Sequence, residues 1–420
     1  MNNRSKGFNN RQGILHKNLT GYTNKSRYRI WYLVTLLFLI FDYSRIAELS
    51  GLGPLRLMLV LDILMTCFIF FYCTTSLANN TQIRILWLFI FVLLIFVPFA
   101  RNNGLAFKTF KAMLLYMPFI YSVIFTVNSI KRLKILITVG IILMIFVSLY
   151  SFAHNGRGPG NYMLDENDLS LYLNMWIPFS FFLLLHEKAK VNKIFYFLSL
   201  LLGLAAVVVS FSRGGFIGLV VMTAIAWYYT PRKVVSFLLI GILSVFIYLF
   251  AGDKYWSEMS TITDNGENTR VERILSWKAA WKIFIDYPLG VGGGNFPVYF
   301  PKYQSSEFRH NMWGRVAHSL WFTLLPELGF IGTLIYLTLL YKNLKIVKTV
   351  KKSICNTESS HRRYITSLSH AYIASFGGFF ASATFLSVLY YAHYWYLTAF
   401  IIATANVTSK LCTSEDFSTQ

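Results

Sequence analysis

Apolar runs long enough to cross a bilayer follow one another along almost the whole chain, and nothing else constrains its fold as strongly. Backbone inside hydrocarbon must satisfy its own N–H and C=O groups, which leaves helices or closed barrels as the spanning structures. A spanning helix needs about 20 apolar residues, and runs of roughly that length fall near 30–47, 54–76, 83–100, 108–128, 134–153, 168–186, 194–211, 215–230, 233–250, 319–341, 367–389 and 392–408. The pattern predicts an all-α polytopic membrane protein with about twelve transmembrane helices. Composition agrees: of 420 residues 55% are hydrophobic and only 14% charged, with a mean hydropathy of +0.50. A soluble domain carries about 25% charged residues.

The net charge of +21 is spread through the connections between apolar runs, where positive charge normally sets topology, so nucleic acid is not an expected partner. Residues 1–29 hold Arg4, Lys6, Arg11, Lys17, Lys25, Arg27 and Arg29 and no acid, and read as a disordered cytoplasmic leader. The first apolar run follows that leader without a small-residue cleavage site, so it is expected to stay as a helix. The expected organisation is helices over 30–250, one long outer loop over 251–318, further helices over 319–408, and a cytoplasmic tail over 409–420. Both termini are then inside. Basic connections at Lys131–Lys134, Lys188–Lys193, Arg232–Lys233 and Lys342–Arg363 fall inside as well. The connection carrying Arg101, Lys108 and Lys111 is the exception, because this arrangement puts it outside. Cys67, Cys73, Cys355 and Cys412 have no metal-ligand spacing, and no structural disulfide is expected.

A plain connection is much shorter than the segment 251–318. Within it, Ile274, Trp277, Trp281 and Phe284 recur at spacings of three and four among Glu272, Lys278 and Lys282, which predicts an amphipathic helix lying at the membrane surface. Pro288 ends it, the glycine-rich run 289–296 allows tight turns, and Tyr299, Tyr303 and Trp313 are candidates to rim a pocket.

Candidate chemistry gathers on the outer side. Arg213, in Ser212-Arg213-Gly214-Gly215, lies at a short turn between two apolar runs. It either snorkels to headgroups or faces the interior as an anion clamp, helped by the N–H groups of Gly214 and Gly215 at a helix start. Arg270 and Arg273 are ordinary surface charges or the opposing arginines that a diphosphate needs. His318 opens the last outer junction. At about 100° per residue it would share a helical stripe with Leu325, Gly329 and Gly332, with a kink at Pro326 and Glu327 on the opposite face. As a neutral imidazole beside cations it is a candidate base, although a lone interfacial histidine is more often structural. Arg157 precedes Asp165, Glu166, Asn167 and Asp168, whose carboxylates suit helix capping better than a metal. Asp62, His370 and His393 read as isolated internal polar groups.

Together these motifs resemble the O-antigen ligase and O-antigen polymerase superfamily. The resemblance rests on Ser212-Arg213-Gly214-Gly215, on Arg273-Ile-Leu-Ser-Trp277 leading into Pro288-Leu-Gly-Val-Gly-Gly-Gly-Asn-Phe296, and on His318-Ser319 followed by Gly329-Phe-Ile-Gly332. The Asn167-Asp-Leu-Ser-Leu-Tyr-Leu run also looks like that of O-glycosylation ligases. The resemblance implies a GT-C-like glycosyltransferase in the bacterial inner membrane, with its site facing the periplasm or exterior and no metal or other cofactor. It implies an undecaprenyl-diphosphate-linked glycan donor and a hydroxyl acceptor on lipid A core, a glycan or a protein. Arg213 and one or both of Arg270 and Arg273 would hold the diphosphate, with Arg157, Ser212, Gly214 and Gly215 as accessory residues, and His318 would activate the acceptor. A repeat-unit polymerase shares every one of these features. A flippase for lipid-linked sugars also fits the arginines and the helices, but the chain has no matching inverted halves.

Overall fold

The computed structural model describes residues 28–72, 80–160, 162–230, 233–234, 241, 268–308, 312, 314–354 and 359–416. Among the described residues every regular element is helical. In chain order these are α1 (Arg29–Ser44), α2 (Ile46–Leu49), a 3-10 turn at Gly53–Leu55, α3 (Leu57–Tyr72), α4 (Thr81–Phe96), α5 (Asn103–Leu115), α6 (Met117–Thr126) and α7 (Ile130–Ala153). They continue with α8 (Glu166–His186), α9 (Lys190–Val209), α10 (Arg213–Tyr229), α11 (Asn268–Asp286), α12 (Phe296–Tyr303), α13 (Leu320–Ser353), α14 (Ser359–Ala383) and α15 (Ala392–Asp416). Among the described residues six stretches are long and apolar enough to cross a membrane: Gly53–Phe71, Asn103–Thr126, Ile130–Ala153, Glu166–His186, Lys190–Val209 and Leu320–Ser353. Every predicted apolar run apart from 233–250 overlaps a described helix. Most of that run lies outside the described residues, as do the leader up to residue 27, loop residues 251–267 and Trp313.

Helix α8 is the centre of the packing. It is buried on almost every side against α9, α10 and α14, as expected of a helix that is apolar all round. Its buried Asn174 donates from Nδ2 to the Gly215 carbonyl at 2.8 Å and to Ser382 Oγ at 3.1 Å, so one side chain ties α8 to both α10 and α14. Small residues make this close approach possible. A Cβ on Gly215 would come within 2.2 Å of Ser170.

The connections sort to two ends of the bundle. At one end lie the turn after α4, the segment between α7 and α8, the α9–α10 turn, and the residues leading into α13. Lys131, Arg132, Lys188, Lys190, Lys352 and Arg362 lie in helix-end turns or the connection between α8 and α9 at the other. The exceptional basic connection belongs to the first end: Asn102 N–H donates to Asn295 Oδ1 at 2.9 Å and Asn295 Nδ2 donates back to the Asn102 carbonyl at 3.2 Å. Arg101 lies over the ring of Tyr299, 5.8 Å from its centroid.

Three local details follow. First, α11 forms where predicted, and it buries Leu275, Ala279, Ala280 and Ile283 within the protein while Ile274 and Trp281 are exposed. Second, His318 is not on the helix. Ser319 is the N-cap of α13, accepting from Phe322 N–H, and His318 has a φ of 48°, so the stripe begins without it. Third, α13 breaks at Gly329 (φ 61°, ψ −163°) and not at Pro326. Few residues other than glycine adopt that conformation.

The glycine-rich run closes that break. Val291 N–H donates to the Pro326 carbonyl at 2.9 Å, Gly292 N–H to the Glu327 carbonyl at 2.8 Å, and Phe330 N–H to the Pro288 carbonyl at 3.0 Å. Buried Glu327 accepts from Gly294 N–H at 2.8 Å, Phe296 N–H at 3.1 Å and the Tyr390 hydroxyl at 2.7 Å. Glu327 does avoid His318, as its position predicts. Its carboxylate instead locks the loop onto the helix.

Candidate active site

A cavity of about 1020 Å³ opens where α7 ends, α8 and α10 begin, and α11 crosses over them. The α9–α10 connection is only residues 210–212, so it delivers Arg213 at the first position of α10, on the cavity wall. Ser212, also on that wall, is the N-cap of α10: its Oγ accepts from Gly215 N–H at 2.9 Å and donates to Asn167 Oδ1 at 2.7 Å. Gly214 and Gly215 are buried in helix packing, and the Gly215 N–H is committed to the cap. The acidic turn behind them is capping machinery as well. Asp165 Oδ1 accepts from Asn167 N–H at 2.7 Å and Asp168 accepts from the Tyr391 hydroxyl at 3.3 Å, while Glu166 pairs with Arg157 at 2.9 Å. These carboxylates turn to separate partners.

Helix α11 contributes the second arginine. Trp277 Nε1 donates to the Ala317 carbonyl at 3.0 Å and stacks on Phe322 with centroids 5.2 Å apart. Arg315 donates to Ser276 Oγ at 2.7 Å and to Glu272 Oε2 at 2.9 Å. Two anchors therefore fix the segment before His318 against α11. Arg273, one turn before Trp277, reaches the cavity lined by Arg157 and Arg213, whereas Arg270 is exposed and not on that lining. Of the two, Arg273 is the one on the cavity wall.

His318 is partly buried at the edge of this arrangement. Burial lowers its pKa below the usual imidazole value, and the guanidinium groups of Arg273 and Arg315 lower it further, against an opposing pull from Asp165 and Glu272. A neutral ring with a free lone pair is the result near pH 7. Tyr299 and Tyr303 are not on the cavity lining. Tyr299 packs on Tyr287 with centroids 5.1 Å apart, and Tyr303 donates its hydroxyl to Asp286.

Backbone strain marks the same place. Among the described residues five non-glycine residues have positive φ, and Asn155 (54°), Phe211 (52°) and His318 (48°) all belong to the cavity or its edge. Each such residue costs about 1–3 kcal/mol unless its surroundings hold it there. Tyr150, His154, Asn155, Ser210 and Phe211 also line the cavity, and no motif in the sequence marks them as site residues. The available signal was an aromatic series, Phe146, Tyr150 and His154, at a spacing of four running out of an apolar segment into Asn155-Gly156.

Together these features define an integral membrane protein with an arginine-lined cavity at one end of its helices. Residues 198–337 match the family model for O-Antigen ligase, and the match supports membership of the O-antigen ligase superfamily. It begins within α9 and ends within α13, so it spans Arg213, Arg273 and His318, and it points to function of the ligase or polymerase type. No curated protein matches the chain.

Proposed function

We propose that this protein is a glycosyltransferase that moves a glycan from an undecaprenyl-diphosphate carrier to an acceptor hydroxyl at the outer face of the bacterial cytoplasmic membrane. The observation that carries the proposal is the convergence of Arg213, Arg273 and Arg157, from three separate parts of the chain, on one cavity with His318 at its edge. Guanidinium groups suit a diphosphate because each presents paired donors to phosphoryl oxygens.

In this reading His318 accepts the proton of the acceptor hydroxyl as its oxygen attacks the anomeric carbon. The bond from that carbon to the diphosphate oxygen breaks, and the lipid diphosphate leaves with the electron pair. Arg213 and Arg273 stabilise the charge that develops on it. Cations already fixed in the wall do the work that a metal does elsewhere, so the transfer needs none. EDTA should leave activity intact, and loss restored by magnesium or manganese would reverse that assignment.

The orientation rests on charge. The bundle end opposite the cavity carries the basic connections, which favours the cytoplasm for that end and the outside for the cavity. With about twelve spans both termini are cytoplasmic. A reporter near residue 265 should then read outside and one near residue 355 inside, and the reverse would break the orientation. A repeat-unit polymerase would use the same donor site. Glycan mass spectrometry of a deletion strain separates the two: polymer accumulating on its lipid carrier means a ligase, and single repeat units mean a polymerase.

A further inference from the structure

The cavity is larger than a diphosphate requires, since sites of about 300–1,000 Å³ hold whole drug-sized ligands. Its volume of about 1020 Å³ therefore leaves space beside the arginines. Two stacked rings form part of the wall around that space. Phe146 and Tyr150 lie with centroids 6.3 Å apart, and Tyr150 and His154 stack at 3.7 Å with planes only 1° from parallel. His154 is the last ring of this column along α7. It is exposed, and both it and Tyr150 line the cavity.

The column is held in place. His154 Nδ1 lies 2.8 Å from the Tyr150 carbonyl oxygen. A carbonyl oxygen only accepts, so Nδ1 carries a proton, and the neutral ring would leave Nε2 as an acceptor. The ring is fixed in orientation while its outer side stays open. Asn155 and Glu166 stand on the same wall and can bond hydroxyl groups.

We propose that the Tyr150–His154 stack is a saccharide subsite that holds the pyranose ring joined directly to the carrier diphosphate. The inference rests on the proposed donor site at Arg213 and Arg273. The sugar's anomeric carbon is bonded to a phosphate oxygen, so a diphosphate held by those arginines brings the first ring into the same cavity. The C–H groups of a pyranose carry slight positive charge and lie favourably against the negative face of an aromatic ring. Stacking of this kind tolerates changes in hydroxyl stereochemistry. It would retain a donor sugar without dictating its identity, while Nε2 of His154 accepts one hydroxyl hydrogen.

Two probes and three variants of the full-length protein in detergent test this: undecaprenyl diphosphate, and the same carrier bearing one N-acetylglucosamine. The unaltered protein should bind the sugar-bearing carrier about tenfold more tightly than the bare one. His154→Ala should abolish that difference while leaving affinity for the bare carrier unchanged, and His154→Phe should restore most of it. Arg213→Ala should weaken both probes. A preference that survives His154→Ala, or its absence from the unaltered protein, overturns the subsite. Failure of His154→Phe to restore binding overturns stacking as its basis. Unchanged binding of both probes by Arg213→Ala would instead overturn the donor-site reading, so the two failures are distinguishable.

Discussion

The arginine-lined cavity and the glycine-rich clamp on α13 are built from similar sequence, glycines beside charged residues at a helix end, and they use their polar groups in opposite ways. In the clamp, buried Glu327 accepts three hydrogen bonds, and the carbonyls freed near the break at Gly329 are taken by Val291 and Gly292. In the cavity, the arginines line open volume, and Asn155 and Phe211 keep positive φ on its wall. A carboxylate and carbonyls bonded within the chain give rigidity. Guanidinium groups on the wall of a cavity give a place for a ligand. On the α13 side the clamp starts at Pro326, eight residues after His318, and it fixes how the segment that follows α11 packs on α13.

Substitutions should separate the two regions. The largest effect is expected from Gly329→Ala, because a side chain there meets the Leu289 backbone at 2.2 Å in a conformation nearly confined to glycine. Folded protein should fall to a trace in detergent extracts, and normal yield would mean the break is not required. Arg213→Ala should lower glycan transfer by at least about 100-fold in a purified assay while abundance stays normal, since in the proposed mechanism its guanidinium stabilises the charge that develops on the leaving diphosphate. A matching loss of abundance would make Arg213 structural.

Glu327→Ala should do the reverse. Three donors lose their acceptor, with a cost of about 2–4 kcal/mol in stability. Its melting temperature should drop, while transfer per folded molecule stays near normal. The smallest effect is a pH shift. The neutral His318 is the active form, so activity should fall as pH drops through its pKa, which lies below the usual imidazole value. In Arg273→Gln one cation is gone, so the acid limb of the residual activity should move to higher pH. An unmoved limb would separate His318 from Arg273.

Much of this was legible in the sequence because period and charge survive without tertiary knowledge. The apolar runs marked the described helices, and the short turn before Arg213 put its guanidinium at a helix start. Arg273 and His318 are expected on one side of the membrane because no apolar run separates them. What escaped depended on partners distant in sequence. Nothing near Glu327 indicates that its carboxylate meets Gly294, Phe296 and Tyr390. The departure of His318 from the helix follows from capping by Ser319, a serine where the pattern alone reads a continuing helix. Arg270 and Arg273 are equivalent on paper, and only the crossing of α11, pinned through Trp277 and Arg315, separates them.

The most direct test of the central claim pairs binding with chemistry in one preparation. Undecaprenyl-diphosphate-linked glycan binding and single-turnover transfer would be measured for the unaltered protein, Arg213→Ala and His318→Ala. Arg213→Ala should lose both, whereas His318→Ala should bind the donor normally and transfer nothing. Normal transfer by His318→Ala, or normal donor binding by Arg213→Ala, would contradict the central claim.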